Sequence, residues 1–204
     1  MKQNFQQETD KITKALGGER PRLLLQCCCG PCSSYVLEYL TEFFDVTVLF
    51  YNPNIQPREE FEKRQSTLCE LLAVYGGTVA LQTCDYDGES FDEASRGLEN
   101  EREGGARCTE CFRLRLRETA RRAACGGFDF FCTTLSVSPH KDAERINAIG
   151  QELENEFSVR WLPSDFKKRE GYKRSIERSR ELLLYRQSYC GCLFSLAEAQ
   201  KMKG

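Results

Sequence analysis

One short stretch constrains the fold more than any other. The apolar run Leu23–Gln26 stops abruptly at four cysteines in six residues, Cys27-Cys28-Cys29-Gly30-Pro31-Cys32, and Ser33–Phe44 then follows with helical spacing. A strand that ends in a functional loop and runs straight into a helix is the opening unit of a βαβ chain. The rest of the sequence repeats the alternation. β-branched and aromatic runs at Val46–Tyr51, Thr78–Thr83, Phe128–Thr134 and Val159–Leu162 predict strands. Apolar residues at helical spacing predict helices over Arg58–Tyr75, Thr109–Ala124, Lys141–Glu156 and Gly171–Leu184, with a short one over Glu89–Glu99. No repeat and no Pro/Gly-rich linker interrupts the pattern. The expectation is one α/β domain over residues 1–204: a parallel sheet flanked by helices. The segment from about 165 to 204 is expected to be helical and to complete a site at the carboxyl ends of the strands.

Cysteine usage points to the chemistry. Of 12 cysteines, eight fall in three clusters: the 27–32 stretch, Cys108-Thr109-Glu110-Cys111 and Cys190-Gly191-Cys192. Burial gives no reason for such clustering. A Cys-x-x-Cys step brings two thiolates to a common centre, and two such pairs supply four sulfur ligands. That set suits zinc or an iron–sulfur cluster, and spacing leaves the choice open. Cys108 and Cys111 stand at the start of a predicted helix, whose partial positive charge favours thiolate. Cys29-Gly30-Pro31-Cys32 also matches a thioredoxin-type dithiol, but the two cysteines before it would scramble a clean switch. Cys190-Gly191-Cys192 is spaced for metal ligation or for a strained, easily reduced disulfide. Cys69, Cys84, Cys125 and Cys132 are expected to be small buried hydrophobes.

Composition narrows the function classes. A single histidine, His140, excludes a histidine-rich metal site. Lys plus Arg is 29 against Asp plus Glu at 31, so a uniformly basic nucleic-acid binder is excluded while local patches are not. One patch is Arg113, Arg117 and Arg121, four apart on one helix face, with Arg115 and Arg122 beside them. Another is Lys167, Lys168, Arg169, Lys173, Arg174 and Arg178. Either is a solvated face paired with glutamates or a grip for phosphates. Asp85, Asp87, Asp129 and Asp165 are the candidate acids. Residues 1–20 are polar, with no signal-peptide core, and no apolar run is long enough for a membrane span. A cytoplasmic chain is therefore expected, where thiols serve metal or redox chemistry more than structural disulfides.

The motifs together resemble the QueH family of epoxyqueuosine reductases, the cobalamin-independent enzymes of queuosine biosynthesis. The matching stretches are Leu25–Ser33, Tyr51-Asn52-Pro53-Asn54-Ile55 with Pro57, Gly104–Cys111, Arg113–Leu116, Thr133–Ser136 with Ser138-Pro139, and Leu184–Cys192. They cover residues 22 to 195 in the family's order. The resemblance implies an adenine-nucleotide α-hydrolase-like (HUP-type) fold and a [4Fe-4S] cluster on Cys28, Cys29, Cys108 and Cys111. It implies a redox-active pair at Cys190 and Cys192, and allows one further mononuclear iron with Cys32 as its ligand. The implied reaction removes the epoxide oxygen of epoxyqueuosine at the wobble position of tRNA, leaving an alkene and water. It needs an electron donor that the sequence does not identify. Arg113, Arg117, Arg186, Tyr51 and Asn52 are the candidate substrate and tRNA contacts. Two other readings compete. One is a zinc-binding RNA or partner module using Cys29, Cys32, Cys108 and Cys111. The other is a nucleotide-dependent thiolation enzyme, disfavoured because the 27–33 loop has only Gly30 to admit a phosphate.

Overall fold

The computed structural model describes residues 3–201. Its elements are α1 (Phe5–Ala15), β1 (Arg22–Gln26), α2 (Gly30–Leu40), β2 (Asp45–Phe50), α3 (Arg58–Ala73), β3 (Ala80–Thr83), α4 (Glu89–Ala94), α5 (Ala106–Cys125), β4 (Phe130–Thr133), α6 (Ala143–Phe157), β5 (Arg160–Trp161), α7 (Gly171–Glu181) and α8 (Leu193–Lys201), with a 3-10 turn at Thr134–Val137. The five strands form one parallel sheet in the order β3-β2-β1-β4-β5. The expected α/β architecture is present.

Strand alternation divides the core in two. Leu23 and Leu25 of β1 face one side, with Val46, Val48 and Phe50 of β2, and α2 and α3 cover them with Val36, Leu37, Leu40, Phe61 and Leu68. Leu24 faces the other side with Leu49 and Phe131, under Phe112, Leu116 and Ala120 of α5 and Ile146, Ile149 and Leu153 of α6. The chain lays down β1, β2 and β3 in one direction and then returns to set β4 on the far side of β1. The crevice between the carboxyl ends of β1 and β4 is thus the topological switch point, where such sheets bind ligands.

Several boundaries differ from expectation. Helix α2 begins at Gly30, not Ser33, because Pro31 fits a first helical turn. Helix α5 begins at Ala106, so Cys108 and Cys111 both lie within the helix. The predicted strand 128–134 is shorter and passes into the 3-10 turn. Helix α1 lies outside the expected elements, while α8 falls in the segment expected to be helical. The buried face of α1 is Phe5, Gln6, Thr9 and Thr13, mostly polar, so it leaves no apolar stripe to read. Among the described residues no helix is long and apolar enough to cross a membrane.

Asn147 ties α6 to the far edge of the sheet. Its Oδ1 accepts from Trp161 Nε1 at 3.0 Å and from Ser164 N at 2.9 Å, and its Nδ2 donates to Ser164 O at 2.9 Å. Asn147→Ala strands these buried groups, and each unsatisfied one costs about 1–3 kcal/mol. Trp161, the sole tryptophan, reports the loss directly. Chemical denaturation followed by its fluorescence should show the variant destabilised by at least ~2 kcal/mol; an unchanged midpoint would sink the assignment.

Candidate metal and redox site

The cysteine loop is pinned by a buried amide network. Gln26, at the end of β1, accepts from Thr133 Oγ1 of β4 at 2.7 Å. Its Nε2 donates to Asn52 Oδ1 at 2.9 Å and to Tyr51 O at 3.1 Å, just beyond β2. Asn52 Nδ2 closes the circuit on Cys27 O at 2.8 Å. Three strand ends are thereby locked together beneath the thiols. Cys29 is the extended residue before α2, and Ser33 Oγ donates to its carbonyl at 2.7 Å. At position 30 a Cβ would lie 2.8 Å from Thr67 O of α3, so only glycine lets α2 start there.

Cys28, Cys29 and Cys32 gather their sulfurs within 4.8 Å of one another, the one such group of ligating side chains among the described residues. Cys28 and Cys29 Sγ are 3.7 Å apart. Hydrogen bonds from Cys29 and Cys32, aided by the Arg115 and Arg64 guanidinium groups, hold the Cys28 thiol well below its usual range against the effect of burial. The same hydrogen bonds push Cys29 up to about 12 and Cys32 well up. Of the trio, Cys28 is the thiol whose surroundings favour the anion. Gln187 Nε2 donates to Cys29 Sγ at 3.2 Å, while its buried Oε1 has no partner.

The second pair stands on α5. Cys111 is buried, packed with Phe91 and Cys192, and burial pushes its thiol up to about 12. Cys108 Sγ, one turn earlier, accepts from Gly104 N at 3.2 Å. Arg115, one turn beyond Cys111, lies within electrostatic reach of Cys111, Cys28 and Cys190 at once, and so joins the clusters.

The third pair closes the site. Arg64 is 1% exposed, pairs with Glu60 at 2.7 Å, and donates to Cys190 O at 2.9 Å and Tyr189 O at 3.1 Å. Gly191 has φ +142°, a conformation few other residues adopt, and its carbonyl accepts from Gln56 N at 2.9 Å. Cys190 and Cys192 are both free thiols. Lys141 Nζ lies 2.9 Å from Cys190 Sγ and 3.1 Å from Glu103. Burial works against the Lys141 charge, but the Cys190 sulfur and Glu103 outweigh it and hold the ammonium above its usual range.

Some of these groups line a cavity of about 660 Å³. Cys28, Cys32, Arg115, Lys141 and Cys190 line it, with Glu103, His140, Tyr172, Arg186, Gln187 and Tyr189. The other expected contacts lie elsewhere. Arg113 pairs with Glu152 of α6 at 2.6 Å and Arg117 with Glu156, and neither lines the cavity. Asn52 is buried, with both polar atoms holding the loop, and Tyr51 packs half-buried against the core. None of the four candidate aspartates reaches the cavity; Asp129 accepts from Arg22 N at 2.8 Å and Asp165 pairs with Lys167. Cys132 is buried as expected, but Cys69 and Cys125 are exposed and Cys84 is half-buried. Glu103, Lys141, Gln187 and Arg64 carried no signal that separated them from other polar residues of the chain.

The donor set is all thiol, with neither histidine nor carboxylate in the close group, which is the chemistry of zinc or iron–sulfur ligation. The buried, unpartnered Arg115 Nη2 lies on the same site and suits an anionic centre. A parallel sheet with a thiol-lined crevice at its switch point defines an α/β protein with three cysteines placed as a metal would need them. The model of the family described as epoxyqueuosine reductase QueH matches residues 23–198, and the chain belongs to this family. It is 46% identical over 189 residues to epoxyqueuosine reductase QueH of Streptococcus pyogenes serotype M1, covering 91% of this chain and 72% of that one. The namesake from Staphylococcus epidermidis is 41% identical, covering 87% and 77%. That from Thermotoga maritima is 34% identical, covering 88% and 92%. Among solved structures, the U34-tRNA thiolase NcsA from Methanococcus maripaludis with its [4Fe-4S] cluster aligns with a TM-score of 0.55 at 14% identity, covering 96% of this chain and 71% of that one. That likeness is one of fold.

Thiol accessibility checks the geometry. In metal-free protein, iodoacetamide should label Cys69 and Cys125 first. Cys27 and Cys132 are fully buried, and burial pushes Cys27 well up and Cys132 to about 12. They should react only through unfolded molecules, slower by a factor of about 10³ or more. Comparable rates at all four, read by peptide mass spectrometry, would contradict the packing described.

Proposed function

We propose that the chain reduces epoxyqueuosine to queuosine at the wobble position of tRNA, with Cys28, Cys29, Cys108 and Cys111 holding a [4Fe-4S] cluster. The observation that carries this reading is the cavity walled by Cys28 and Cys32 on one side and by Cys190 on the other, in a member of this reductase family. Cys32, facing the same cavity, is the residue to hold one further iron. The reaction consumes two electrons and two protons, breaks both C–O bonds of the epoxide, and yields an alkene and water. A bound cluster supplies electrons singly.

The protein's own residues do the rest. A volume near 660 Å³ suits a nucleoside-sized group and shields it from bulk water. Lys141 Nζ holds a proton at the cavity wall, beside Glu103. Tyr172, Tyr189 and the exposed Arg186 offer flat and cationic surfaces to a splayed anticodon base. Arg113 and Arg117 belong to a tRNA contact only where a phosphate displaces their glutamates. Cys190 and Cys192 relay reducing equivalents from an external donor, passing between dithiol and disulfide.

Anaerobic protein should be brown, with about four iron and four sulfide per chain. Cys190→Ser and Cys192→Ser should keep that cluster and lose nearly all turnover of epoxyqueuosine tRNA. Cys32→Ser should keep four iron and lose only iron in excess of four. Colourless, zinc-loaded protein after preparation with ample iron would overturn the reading.

A further inference from the structure

Among the described residues three arginines are almost wholly buried beside functional loops: Arg64, Arg107 and Arg115, at 1, 2 and 2% exposure. Two of them are well supplied with acceptors. Arg64 has the Glu60 carboxylate and two carbonyls. Arg107 Nη1 donates to the carbonyls of Leu98, Glu99 and Glu101, although its buried Nε has no acceptor. Arg115 is different. Its Nε donates to Cys111 O at 3.2 Å, its buried Nη2 has no acceptor, and no carboxylate pairs with it. Instead, three sulfurs lie within its electrostatic reach, those of Cys111, Cys28 and Cys190, and Cys28 and Cys190 line the same cavity. A buried cation without an anion is strongly unfavourable. Neutral thiols do not answer it; thiolates gathered on a metal centre do.

We propose that Arg115 is the counter-cation of the metal–thiolate centre, standing between the Cys28 and Cys111 sides of its ligand set and raising its reduction potential. This rests on the reading that these cysteines hold a [4Fe-4S] cluster. Position supports it: Arg115 follows Cys111 by one helical turn, on the same face of α5, and also lines the cavity. The reduction potential of such a centre depends on nearby charge, hydrogen bonds to sulfur and exposure to solvent. Reduction adds one negative charge, and a fixed guanidinium in a dry interior stabilises the reduced form more than the oxidised one. Arg115 is thus a positioning residue that acts through the cluster.

The test is a redox titration, monitored by electron paramagnetic resonance, of the anaerobically reconstituted full chain, Arg115→Lys and Arg115→Gln. The midpoint should fall in the order wild type, Lys, Gln, since lysine keeps the charge but loses the planar fork. Poised at the wild-type midpoint, Arg115→Gln should show a reduced-to-oxidised ratio about tenfold lower, equivalent to about 59 mV for a one-electron couple. A purely structural role would alter cluster occupancy but not the midpoint of the clusters that form. Coincident midpoints overturn the proposal. Where Arg115→Gln takes up no cluster, Arg115→Lys decides: a midpoint below wild type supports the proposal and an equal one ends it. Wild-type protein that takes up no iron–sulfur cluster would instead sink the functional reading itself.

Discussion

The site depends on the parallel pairing of β1 between β2 and β4. Because all three strands run the same way, their following loops emerge at one edge. The residues at that edge are polar yet fully buried. Gln26 reaches Thr133 across one ladder and Asn52 across the other, and Asn52 returns to the Cys27 carbonyl. A buried amide left unpaired is costly, so this circuit forms whole or not at all. Its completion fixes the direction in which the chain enters the cysteine loop. The sheet supplies the crevice, and the amide circuit sets the thiols at its lip.

Electrostatics then separates the cysteines of the apolar core from those at the crevice. Cys132 and Cys27 are as buried as any residue, but they lie in the apolar core without a cation. Burial alone keeps such thiols protonated. Cys28 has two hydrogen-bonding thiols and two guanidinium groups about it, and these lower its pKa against the effect of burial. Cys190 has the Lys141 ammonium within 2.9 Å. The cations reach these sulfurs from α3, α5 and the turn before α6. The chain carries a formal charge of −2 and still surrounds this one crevice with buried positive charge, the complement that a metal–thiolate centre requires.

Much of this was legible in the sequence, and the failures share a cause. The strand–helix alternation and the placement of the first cysteines at the end of β1 follow from apolar periodicity, which burial enforces. Polar residues are where periodicity misled. Arg113, Arg117 and Arg121 make a conspicuous stripe, yet they face Glu152, Glu156 and Glu118. The arginine that matters sits between the stripe's members. Arg115 is four residues from Cys111 and four from Thr119, both buried, so the helical period assigns it to the inward face. Cys69 and Cys125 were misplaced for the converse reason: their residue type suggested burial while their position on the helix faced water. Lys141 and Glu103 meet Cys190 only through tertiary folding, and no local pattern announces such a meeting.

The family comparison and the geometry constrain different things, and the second is needed to choose among cofactors. Zinc and iron–sulfur centres both accept four thiolates, so spacing alone leaves them equal. A structural zinc site needs only its four ligands and gains nothing from an open cavity. Here the close thiol trio opens on a cavity that also holds Cys190 and the Lys141 ammonium. Four ligands would still leave Cys32 or Cys28 over, together with the whole Cys190–Cys192 pair. Two cysteine clusters lining one cavity, with buried cations beside them, make sense where electrons must reach a substrate. They would be superfluous in a module that only binds.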